Sequence, residues 1–108
     1  MVAARAIDIL IADCANEFDA INVARIMRQK GIMSAENWRN WMNKTAEAVF
    51  KDETYNKRLV QYGFTLKRFK NVVFRTITQY IRRSKTEREM KNLGLFDIVD
   101  EGPNIVAL

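Results

Sequence analysis

Apolar residues return along most of this chain at intervals of three and four, the spacing of one face of an α-helix. Ala3, Ile7, Leu10, Ile11, Cys14 and Phe18 share such a face and predict a first helix over 3–18. Ile21, Ala24 and Met27 predict a second over 20–30, with Asp19 placed to cap its start and Gly31 just past its end. No Gly or Pro interrupts 17–22, so one continuous helix is a second reading of that stretch. Ser34 is a good N-cap for a third helix, and Glu36 suits the positive end of its dipole. Trp38, Trp41, Met42, Thr45 and Val49 then fall on one face. Asp52 opens a short fourth helix, with Tyr55, Leu59 and Tyr62 inward and Gly63 ending it. Thr65 caps a fifth, striped by Leu66, Phe69, Val73, Ile77, Tyr80 and Ile81, which extends to about residue 92 before Gly94 stops it.

The pattern predicts an all-α fold. It is a compact bundle of four to five helices in a single domain over 1–94, followed by a short irregular acidic tail over 95–108 that contains Gly102-Pro103. Composition agrees. The 108 residues are 48% hydrophobic, enough for one helical core. Four Gly and one Pro are too few for the turns of an all-β chain. The single cysteine, Cys14, excludes an internal disulfide framework. The first residues have neither the pattern of a signal peptide nor that of a membrane span, so an intracellular setting is expected, a host cytoplasm if the chain is viral.

Charge changes the picture more than composition does. The net charge is +5, but it is unevenly placed. Residues 1–63 are nearly balanced at +1; residues 64–92 carry nine Lys/Arg against Glu87 and Glu89, a net +7; residues 93–108 carry only Asp97, Asp100 and Glu101. Basic charge gathered in one segment points to a polyanionic partner. On the fifth helix Arg68, Arg75 and Arg82 are spaced i, i+7, i+14 and point away from the apolar stripe. Lys67, Lys70, Arg83 and Lys85 flank the row, Arg88 adds charge to the segment, and Asn71, Thr78 and Gln79 beside it offer further hydrogen-bonding groups. Planar guanidinium forks and amide donors are the groups that hold phosphate oxygens. Past Ile81 the stripe turns polar at Ser84, Arg88 and Lys91, so residues 84–89 are expected to project beyond the core.

Catalytic chemistry is scarce. The chain has no His, which removes the commonest general base and most zinc sites, and it has no Gly-rich phosphate loop. Asp8, Asp13 and Glu17 read as a solvated face rather than a metal site, and Cys14 as a core residue. No cofactor, metal or small-molecule substrate is expected.

Two further features bear on partners. Helices two and three, joined by Gly31-Ile32-Met33-Ser34, have the outline of a helix-turn-helix, with Asn40, Asn43, Lys44 and Glu47 outward and Asn37 and Arg39 at the margins; a plain helical hairpin has the same spacing and is favoured. Trp38 and Trp41 could stack on bases but lie on the core face. The segment Asn92-Leu93-Gly94-Leu95-Phe96 resembles the Gln-Leu-x-Leu-Phe peptide by which bacterial replication and repair proteins bind the sliding clamp, with Asn in place of Gln. That resemblance implies a protein partner held by Leu93, Leu95 and Phe96. The competing reading ends the helix at Gly94 and folds Leu95 and Phe96 back on the core. The expected function is a non-catalytic nucleic-acid-binding protein, DNA or RNA, within a larger nucleoprotein complex. The alternative is a protein–protein adaptor docking through the basic helix and the tail.

Overall fold

The structure, a computed structural model, describes residues 2–83, with side chains from Arg5 onward. Five helices follow one another: α1 (Val2–Phe18), α2 (Ala20–Gln29), α3 (Ala35–Lys51), α4 (Glu53–Gln61) and α5 (Leu66–Arg82). No strand occurs among the described residues, and the helices pack as an all-α bundle. The expected continuation of α5 to about residue 92, together with Lys85, Arg88, Leu93, Leu95, Phe96 and the acidic tail, lies outside the described residues.

Helix α5 packs against both α1 and α3, while α3 also carries α4. This arrangement explains why the buried arc of α5 is wider than its predicted stripe. Phe69, Val73, Ile77 and Ile81 are buried as expected, and Phe74, off the stripe on one flank, is buried too. Two neighbouring helices cover more of a third than one can. Tyr80, expected inward, is 41% exposed, in keeping with a ring that carries a polar hydroxyl. Leu66 and Thr45 are half-buried. The core joins Cys14 and Phe18 from α1, Trp38 and Met42 from α3 and Leu59 from α4, and among the described residues it is wholly apolar. Trp41 is half-buried and packs its ring 6.0 Å from Phe18 and 4.9 Å from Trp38; Phe50 and Phe69 join α3 to α5 at 5.5 Å. The tryptophans therefore serve the core.

The helix ends are written locally. Ser34 Oγ accepts from Asn37 N–H (3.1 Å), Asp52 Oδ1 from Thr54 N–H (2.8 Å) and Thr65 Oγ1 from Arg68 N–H (3.2 Å), as the cap positions predict. At the close of α2, Gly31 N–H donates to Arg28 O and Ile32 N–H to Met27 O; at the close of α4, Gly63 N–H donates to Val60 O and Phe64 N–H to Leu59 O. Both are Schellman motifs with a left-handed glycine, φ 70° at Gly31 and 82° at Gly63. Met33 and Phe64, each just before a cap, then turn onto the core.

Asp19 departs from expectation. It neither continues one helix nor caps the next through its side chain. Its backbone is left-handed (φ 49°, ψ 46°), its N–H donates to Asn16 O, and its carbonyl accepts from Val23 N–H. Asp is among the few residues that enter this region at modest cost, so the chain kinks there without glycine.

The turn into α5 can be tested directly. A Cβ added at Gly63 meets nothing within 4 Å, so Gly63→Ala is strained only through its backbone. Urea denaturation is expected to show a loss of about 1–2 kcal/mol, with Gly63→Asn losing less. Unchanged stability in the alanine variant would mean that this left-handed turn is not what fixes the entry of α5.

Candidate nucleic-acid interface

Seven residues take a helix through nearly two full turns, so side chains at that spacing line up with a drift of about 20°. Arg68, Arg75 and Arg82 obey this on α5 and all three are exposed, on the side opposite Val73 and Ile77. At about 1.5 Å per residue they stand about 10 Å apart, a row about 21 Å long. Between Phe64 and Arg83 the chain carries six Lys/Arg and no Asp or Glu. A helix face whose charge is merely solvated is usually laced with carboxylates three or four residues from its cations. Here the positions flanking Arg75 on its own helix are Asn71, Val72, Thr78 and Gln79.

The row is partly held in place. The Arg68 guanidinium lies over the Phe64 ring, 5.0 Å from its centroid, a cation–π contact that limits its wandering. Phe64 was not apparent as a partner from the apolar stripe. Its position between the left-handed Gly63 and the cap Thr65 is the signal that marks it as an inward-turning residue.

The flanking groups divide. Lys67, Gln79 and Arg83 are exposed, and Asn71 is half-buried. Lys70 instead leans to α3, where its ammonium meets Glu47 at 3.5 Å. It neutralises the one helix rather than extending the other's charge. Thr78 is also spent as a donor, because its hydroxyl bonds the Phe74 carbonyl at 2.9 Å, and Thr76 does the same to Val72 at 3.1 Å. What reaches water along the row is therefore mostly guanidinium, with the amides of Asn71 and Gln79 beside it.

The other candidate surfaces are weaker. On α3, the Asn37 amide donates to Ile32 O at 2.6 Å and so braces the turn, Arg39 and Asn43 are half-buried, and Glu47 faces Lys70. Asn40 and Lys44 remain exposed. Helix α2 touches its neighbours only sparsely, α3 included, so the pair lacks the firm mutual packing that sets a recognition helix in a helix-turn-helix. Among the carboxylates of α1, Asp8 and Asp13 are exposed, while Glu17 Oε1 accepts the Tyr55 hydroxyl of α4 at 2.9 Å. That bond stabilises the neutral phenol and pushes Tyr55 up to about 12. Among the described residues no three His, Cys, Asp or Glu gather to hold a metal, and no helix is long and apolar enough to cross a membrane.

Cys14 is fully buried, and burial, aided by the nearby Asp13 charge, pushes its thiol from 9.0 up to about 12. A neutral, sealed thiol is no nucleophile. A thiol-specific reagent at pH 8 is expected to leave the native protein unmodified and to label it once denatured; rapid labelling of the native fold would overturn this placement. Because the folded-state value is the raised one, stability is fully present below pH 9 and declines from pH 9 towards 12, where the unfolded thiol ionises first. Alkaline unfolding of Cys14→Ala is expected to lose that part of the slope.

No protein family, characterised protein or solved structure matches the chain.

Proposed function

We propose that this chain is a non-catalytic nucleic-acid-binding protein that grips the phosphate backbone through α5, as a small intracellular subunit lining the nucleic acid within a larger nucleoprotein complex. One observation carries the reading. Helix α5 sets three arginines in an exposed row and has no carboxylate of its own to neutralise them. A face that gathers three arginines on a helix with no Asp or Glu of its own attracts negative counter-charge from a partner. A nucleic-acid backbone supplies that charge continuously, and Arg holds phosphate oxygens with paired donors. Lys67 and Arg83 add exposed charge at the two ends. Lys85 and Arg88 follow in the sequence and add to the basic charge of this segment. The low count of catalytic groups, with Cys14 sealed in the core, favours binding over chemistry.

Fluorescence anisotropy with labelled nucleic acids across a salt series tests this. Wild type is expected to bind at low salt and weaken steeply as salt rises, through counterion release. The triple change Arg68→Ala, Arg75→Ala, Arg82→Ala is expected to flatten the slope of log K against log salt by roughly 2–3, with helicity retained by circular dichroism. Absence of binding at low salt by folded protein would sink the reading. The alternative would then be an adaptor, engaged through the segment that holds Leu93, Leu95 and Phe96.

A further inference from the structure

Resting on the reading of α5 as a phosphate-binding face, we propose that its partner is double-stranded DNA, held by the backbone and not read by sequence.

Two observations favour a duplex, and a third favours DNA over RNA. The first is the shortage of stacking surface. Proteins that hold single strands combine a basic track with aromatic platforms for the bases. Here Trp38, Phe69 and Phe74 are buried, and Phe64 is buried with Arg68 over its ring. The exposed aromatic of α5 is Tyr80, but five residues separate it from Arg75, which places it about 140° around the helix from the row. A strand lying on the arginines would find no ring among the described residues of that face.

The second is the shape of the row. It is straight, fixed to one rigid helix, and about 21 Å long at about 1.5 Å per residue. A line of fixed charges complements a stiff partner of regular charge spacing, and duplex DNA carries about one charge per 1.7 Å of axis. Helix α5 is wedged between α1 and α3, so only its outer arc faces a partner, and along that arc the three arginines run as a line of charge. Contacts then fall on the phosphates, which position a protein without reporting sequence.

The third separates DNA from RNA. An RNA duplex is distinguished by 2′-hydroxyls, which act as donors as well as acceptors, lining its shallow groove. Guanidinium groups accept nothing. The row therefore answers phosphate oxygens well, and the acceptors it offers to 2′-hydroxyl protons are confined to the amides of Asn71 and Gln79 beside it.

The test uses the full chain and four labelled probes of equal length: two DNA duplexes of unrelated sequence, one single-stranded DNA and one RNA duplex. Both DNA duplexes are expected to bind with the same affinity within about twofold, and at least tenfold tighter than the other two probes. Arg75→Ala should flatten the salt slope by about 0.9 on both duplexes alike, and Tyr80→Ala should leave duplex binding unchanged. Tighter binding of the single strand or the RNA duplex would overturn the proposal while leaving phosphate recognition by α5 standing. So would a tenfold preference between the two DNA sequences, or a clear loss in Tyr80→Ala. Failure to bind any probe would instead overturn the reading on which the proposal rests.

Discussion

The wedging of α5 between α1 and α3 is the constraint from which the rest follows. Phe69, Val73, Phe74, Ile77 and Ile81 all leave water in that contact. At about 1.5–3 kcal/mol for each large apolar side chain, the burial is worth roughly 10 kcal/mol. Against it stands the mutual repulsion of the outward arginines, about 0.4 kcal/mol for a pair about 10 Å apart in water. Packing wins by more than an order of magnitude. A helix clamped so firmly on its inner arc can carry an outer arc chosen for charge alone, and this is why core and candidate interface coexist on one element.

Much of the fold was legible because helix grammar is local. Ser34, Asp52 and Thr65 cap as their positions predict, and Gly31 and Gly63 adopt the left-handed turns their places require. Each depends on atoms a few residues away. Asp19 was harder, because an aspartate between two apolar stretches fits a cap, a continuous helix or a kink equally well. Its left-handed backbone is visible only in the folded chain. The burial of Phe74 was not legible either. It needs the knowledge that two helices, not one, cover α5.

The same division runs through the candidate interface. The spacing of Arg68, Arg75 and Arg82 is a one-dimensional fact, and the fold leaves all three exposed. The fates of their neighbours depend on the third dimension. Lys70 is drawn off by Glu47, 23 positions earlier in the chain, and Thr78 is turned back on its own helix. Charge count overstated how many flanking groups are available, while the spacing of the arginines matched their shared exposure.

The kink at Asp19 carries a consequence for how the molecule comes apart. Helix α2 buries only Ala24 and Met27, and its contacts with the other helices are sparse. A short segment with little buried surface and a hinge at its entry is the least costly cooperative unit to release. Its amides would exchange with solvent through partial openings, well before those of α5. Opening of α2 would leave the contacts of α5 with α1 and α3, and with them the arginine row, in place.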